Sequence, residues 1–188
     1  VVTSYYRVIS EQSALLTFDT YNLLFHFFSE PRGSSDVDGY ASDYEFVFME
    51  VSEDRIVLKG KKYGNKMVMT KLTESAGSYM QKVLDMQEKM AAVPRMKMVV
   101  GGKEYTVSMV GKLLSYTDMK EDSSLENIDM AYIYTPDGIN LYEPLTVNGI
   151  TFQRLVYDDA TGAIKATDAD VSFPYPTALE QFCGTTSQ

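Results

Sequence analysis

The chain has no tryptophan, one cysteine, one histidine and six prolines in 188 residues. Each scarcity excludes something. A single cysteine forms no disulfide within the chain, and one Cys with one His cannot supply a structural zinc site. A Ser-His-Asp arrangement would have only His26 as its base, and no GxSxG elbow supplies the serine. Without tryptophan, any stacking platform for a sugar ring has to be built from tyrosine. No run approaches the roughly 18 to 20 consecutive apolar residues of a membrane-spanning helix. Basic residues are few: 17 Lys and Arg stand against 26 Asp and Glu, giving a formal charge of −9. That balance repels phosphate backbones and anionic lipid, so nucleic acid is not an expected partner.

What is present describes a globular protein. At 45% hydrophobic and 23% charged residues the chain can bury a real core. Period-two alternation and turn residues dominate, with two helical exceptions. The first spans about 20–29, where Tyr21, Leu24, Phe25 and Phe28 form one apolar stripe and Pro31 ends the helix. The second spans about 73–92, with Thr73 as expected N-cap, Glu74 at the positive end of the macrodipole and Pro94 as terminator. Its expected buried face is Ala76, Met80, Val83 and Met90, helped by Tyr79 and Met86.

The strand segments occur in the same order twice. Tyr6-x-Val8, LLTF (15–18), FVF (46–48), DRIVL (54–58) and MVMTKL (67–72) are answered by Tyr105-x-Val107, LLSY (113–116), YIY (132–134), DGINL (137–141) and ITFQRL (150–155). The offset between matches falls from 98 at Leu15/Leu113 to 86 at Phe46/Tyr132, so the first half carries 12 extra residues there. Those residues hold the short helix and the loop SEPRGSSDVDG. A last hairpin is expected at LVYDDATGAIKA, turning over 159–162. The expected fold is therefore α+β and mainly antiparallel β: two related β-meander lobes from an internal duplication, joined by the long helix. The lobes are placed at 1–72 and 95–188, with the linking helix at 73–94. A crevice between them is the default ligand site.

Three places carry candidate chemistry. His26 and Asn22 lie one turn apart on the short helix, opposite its apolar stripe. His26 as a general base or metal ligand, with Asn22 beside it in a ligand-binding pair, is one reading, and a histidine hydrogen-bonded at the helix surface or against a neighbouring strand is the other. The loop 34–45 offers oxygen ligands at calcium-loop spacing: Asp36, Asp38, Tyr40, Ser42 and Glu45, with Gly39 at the turn. Its first position is Ser34 rather than Asp, and Glu45 begins a strand rather than a helix, so a solvated acidic loop is the competing reading. Calcium is the one cofactor the sequence suggests. Lys59, Lys61, Lys62 and Lys66 cluster on the hairpin DRIVLKGKKYGNK, a positive patch that suits an anionic group such as a uronic acid, a sulfated sugar or a phosphate. Such lysines also protect strand edges. Tyrosines such as Tyr105, Tyr132 and Tyr134 alternate within strands and read as core or cross-strand pairs. The lone thiol, Cys183, sits in a polar tail and is given no chemistry.

The segments LLTFDTYNLLFHFFSEP (15–31), GYASDYEFVF (39–48) and DRIVLKGKKYGNKMVMTKL (54–72) resemble an uncharacterised family of Bacteroidetes cell-envelope lipoproteins, catalogued as domain of unknown function 4302. The likeness is clear over 4–72 and looser over 95–160. It implies an extracytoplasmic protein of the periplasm or outer-membrane surface, with a signal peptide, a lipid-anchoring Cys and some initial strands upstream of Val1. Contact with the membrane would then run only through that anchor. The resemblance carries no catalytic residue.

From these readings the expected function is a non-enzymatic binding or accessory module with a glycan or a peptide as ligand, its partner a cell-surface glycan or a protein. A carboxylate-dependent, glycoside-type hydrolase is the alternative, because 26 acidic residues can supply a converging pair. A purely structural or interaction protein, marked by a contiguous exposed apolar patch, is the third reading.

Overall fold

The computed structural model describes residues 3–91, 97–119 and 123–176. The described residues are mainly antiparallel β with two helices, and the chain divides into two compact units, Val1–Thr73 and Glu74–Gln188. Cys183 and Pro94 lie outside the described residues. Among those residues no helix is long and apolar enough to cross a membrane.

The first unit is an open five-stranded meander: β1 (Arg7–Ser10), β2 (Ala14–Thr17), β3 (Glu45–Val51), β4 (Arg55–Gly60) and β5 (Lys66–Thr70), paired in that order. Leu16, Phe46 and Leu58 are buried on one face, with Phe18, Phe48, Ile56 and Met67 around them. Helix α1 (Leu23–Ser29) covers that face through a single side chain. Phe25 stacks on Phe18 at 4.4 Å and meets Phe46 edge-on at 5.6 Å. The helix begins at Leu23 rather than residue 20 because Asn22 is its N-cap, its Oδ1 accepting from the Leu24 and Phe25 amides. The expected buried stripe is not realised. Tyr21, Leu24 and Phe28 are exposed, since a seven-residue helix laid on the sheet turns only Phe25 inward.

The second unit is a closed up-and-down barrel. Its strands are β6 (Lys97–Val100), β7 (Lys103–Val110), β8 (Leu113–Met119), β9 (Leu125–Thr135), β10 (Gly138–Val147), β11 (Ile150–Tyr157), β12 (Ile164–Ala166) and β13 (Val171–Phe173). Each pairs antiparallel with the next, and β13 returns to β6 through Val171↔Val100 and Ser172↔Val99. Alternation sends Met98, Val107, Leu114, Ile139, Phe152 and Phe173 inward, so the barrel is filled by side chains. The expected last hairpin is present as β11–β12, where Asp158 bonds the Ala160 amide, the Thr161 hydroxyl and Lys165.

Helix α2 (Ala76–Ala91) belongs to this second unit rather than standing between two lobes. Met86 and Met90 join the barrel core. Its buried stripe runs through half-buried Tyr79 and Val83 to Met86 and Met90, while Ala76 and Met80 face solvent. Ser75, not Thr73, caps it, accepting from the Ser78 amide.

The five strand segments repeated in the sequence map onto β1–β5 and β7–β11 in the same order. Registers differ, however. Val8 faces Leu16, but Val107 faces Tyr116 rather than Leu114. Ile56 faces Met69, but Ile139 faces Leu155 rather than Phe152. One set forms an open sheet, and the other closes with three further strands.

Tyr105 and Tyr116 meet edge-on inside the barrel, as do Tyr132 and Tyr134. Burial pushes the Tyr116 hydroxyl up to about 12, helped by the charge of Asp118. Burial and a bond to Tyr134 also raise Tyr132. An unfolded tyrosine ionises near about 10. A raised native value means stability that is complete below that point and is lost as pH rises towards about 12. The barrel is therefore expected to lose thermal midpoint steeply between about pH 10 and 12. The Tyr116→Phe variant should lose less over the same window, followed by circular dichroism alongside tyrosinate absorbance. Equal slopes for the two proteins would refute the assignment.

Candidate functional site

The candidate site is built by the first unit around the turn that joins β4 to β5. Its organising residue is Asp43, a carboxylate that is only 3% exposed. Asp43 Oδ1 accepts from the Lys62 amide at 2.7 Å and the Tyr63 amide at 3.0 Å, and Oδ2 accepts from Asn65 Nδ2 at 3.0 Å. The same Asn65 amide group donates to the Ala41 carbonyl. Gly60 allows this approach, since a Cβ there would sit 1.9 Å from Asp43 Oδ2. The loop before β3 and the lysine turn are thereby locked together. Nothing in the local pattern singles out Asp43, because its partners lie 17 to 22 residues downstream.

Beside this lock lies a cavity of about 490 Å³. Residues the sequence pointed to from three separate segments converge on it: His26 from α1, Ser42 and Glu45 from the loop and β3, and Lys61 and Lys62 from the turn. Tyr44, which sequence reasoning passed over, forms an aromatic wall with His26, the rings stacked at 4.7 Å and 22°. The Tyr21 ring also lies 4.9 Å from the histidine ring, tilted by 33°. His26 Nδ1 faces the Asn22 amide at 3.1 Å. Asn22 itself is consumed by capping and by a bond to Ser4, so it does not line the cavity.

The four lysines do not form one patch. Lys59 and Lys66 face each other across β4 and β5, away from the cavity lining. Lys61 bridges Glu11 at 3.0 Å and Glu45 at 3.2 Å. Those two bonds, Glu11 first, raise its pKa. Lys62 reaches Asp38 at 3.3 Å and lies over the Tyr63 ring. The Tyr63 hydroxyl and then Lys62 hold the Asp38 carboxyl below the ordinary carboxylate range. Each cavity lysine thus carries a carboxylate partner, leaving donors and acceptors side by side.

The acidic loop uses its ligand-type residues one at a time. Asp36 bonds Arg32, Asp38 bonds Tyr63 and Lys62, and Glu45 bonds Lys61 and Thr17. The Tyr40 and Ser42 amides both donate to the Phe28 carbonyl, and the Tyr40 ring lies under Arg32. Among the described residues no group of three or more His, Cys, Asp or Glu side chains is placed to hold a metal ion.

No curated protein and no solved structure matches the chain. One family model does, over residues 1–159, which takes in the whole first unit and the barrel as far as the end of β11. With that span matched, the chain belongs to the DUF4302 family, a domain of unknown function.

Proposed function

We propose that the first unit is a non-enzymatic saccharide-binding module, carried by a lipid-anchored bacterial cell-surface protein. The observation that carries this reading is the pairing of each cavity lysine with a carboxylate beside an aromatic wall. A sugar hydroxyl donates and accepts at once, so vicinal hydroxyls suit ammonium and carboxylate groups set side by side. A sulfate or phosphate would instead have to pull Lys61 away from Glu11 and Glu45, and Lys62 away from Asp38. A neutral or singly charged saccharide is therefore preferred to a polyanion. The cavity of about 490 Å³ falls within the usual size of small-ligand sites. The likeness to envelope lipoproteins supports the cellular placement, and the recurrence of strand order supports descent of the two units from one duplicated meander.

A glycan array followed by titration calorimetry on the whole chain tests the reading. The best ligand should lose at least tenfold in affinity to the Lys61→Ala/Lys62→Ala variant. The melting temperature should stay nearly unchanged, since exposed ion pairs contribute at most about 1 kcal/mol. An array with no binder, or a variant that binds equally well, would remove the proposal. Release of reducing ends from the bound glycan would instead favour the hydrolase.

A further inference from the structure

Beyond the saccharide cavity, the wall of the barrel contains a gap. The first half of β7, Lys103 to Thr106, pairs with β6. Its second half, Val107 to Val110, pairs with β8 at Tyr116 to Leu113. Strand β8 pairs with β9 along its full length, through Met119↔Leu125. Among the described residues, then, no ladder joins residues 103–106 to residues 117–119. Continuing the register from Val107↔Tyr116 would set Thr106 opposite Thr117 and Tyr105 opposite Asp118, but the strands separate there.

A cleft of about 710 Å³ occupies the separation. Its lining includes the unbroken runs 103–108 and 115–119. Asn127 and Asp129 of β9 border it as well, and so do Val107, Ser108, Ser115 and Tyr116 where the two strands are still paired, so the cleft runs from the end of that ladder along the unpaired edges 103–106 and 117–119. Tyr105 borders the cleft, with the Lys103 ammonium 4.7 Å from the centre of its ring. Among the described residues the charged ones bordering the cleft are Lys103, Glu104, Asp118 and Asp129, an excess of two negative charges.

We propose that this gap receives an extended segment of a partner polypeptide, about four residues long and carrying a basic side chain, as an added strand between β7 and β8. Four extended residues span about 13 Å, the length of the unpaired run on β7. Main-chain hydrogen bonds to both borders would supply affinity, as in other strand-addition complexes. Asp118 and Asp129 would select the basic residue, with Lys103 released from its 3.9 Å approach to Asp118.

A fluorescent library of hexapeptides, with Lys or Arg placed among β-branched residues, tests this on the whole chain. Binding should protect the amides of 103–106 and 117–119 from hydrogen exchange. Methylating the peptide backbone nitrogens of the best binder, with side chains unchanged, should weaken it at least tenfold. So should Asp118→Lys. In a Cys183→Ser background, Thr106→Cys/Thr117→Cys should lose binding when oxidised and regain it on reduction. Should that disulfide not close, the methylated peptide and the charge reversal still decide. Equal binding by methylated peptide or by Asp118→Lys overturns the proposal, as does a library with no binder at millimolar concentration. Self-association that blocks the peptide would assign the gap to a second copy, and competition by a free saccharide would assign it to a sugar. Either result overturns the peptide reading.

Discussion

Replacing Asp43 by alanine is expected to destabilise the first unit by about 3 kcal/mol or more. The variant leaves three donors without their acceptor: the Lys62 amide, the Tyr63 amide and Asn65 Nδ2. It also opens a space beneath Gly60, which exists to admit the carboxylate. Hydrogen exchange at the Lys62 and Tyr63 amides should rise to the rate of an open turn, while exchange in the barrel strands stays unchanged. Saccharide binding should fall as well, because Lys61 and Lys62 are held at the cavity by that turn. Asp43→Asn separates charge from shape. It keeps an oxygen for the two amides but sets its new amide group against Asn65 Nδ2, so an intermediate loss is expected. Protected amides in Asp43→Ala would show that the turn is held by something other than the carboxylate.

The second large effect is expected in the barrel. Phe173 is fully buried on β13, the strand that closes the sheet onto β6. Truncation of a core phenylalanine costs about 3–5 kcal/mol, from lost burial and the cavity left behind. Here the cost falls where, among the described residues, the barrel is closed by two paired positions, Val171↔Val100 and Ser172↔Val99. Phe173→Ala should lower the urea midpoint of the barrel and expose amides of β6 and β13 before those of β9 and β10. Uniform exchange across all eight strands would mean that closure and core melt as one step. The exposed Val110→Ala, at 75% accessibility, should change stability by less than about 0.5 kcal/mol and serves as the control.

Much of the secondary structure was legible locally. Strand-like runs marked β1 to β5 and β7 to β11, and the i, i+4 spacing marked both helices, because those signals lie within one element. Helix starts were misplaced by about three residues, since Asn22 caps α1 and Ser75, rather than the expected Thr73, caps α2. The stripe of α1 misled for a different reason. Periodicity says which residues share a face, but the sheet surface beneath seven residues had room for Phe25 alone.

The site shows the same division. Composition and spacing pointed to His26, Glu45, Lys61 and Lys62 as separate signals, yet only the crossing of α1, β3 and the β4–β5 turn brings them to one cavity. Asp43 and Tyr44 were silent because their chemistry depends on partners far along the chain. A calcium loop and a four-lysine patch both read well as strings, but side chains close in sequence were drawn to different partners once folded.

By itself, the sequence determined that this protein is mainly antiparallel β with two helices, acidic, and short of the residues most nucleophilic and zinc chemistry needs. Tertiary structure alone decided that one meander stays open while the other closes into a barrel, and that α2 belongs to the barrel. The physical reason is reach. Alternation and capping act over a few residues, whereas closure joins Val100 to Val171, and that pairing depends on register accumulated across every strand between them.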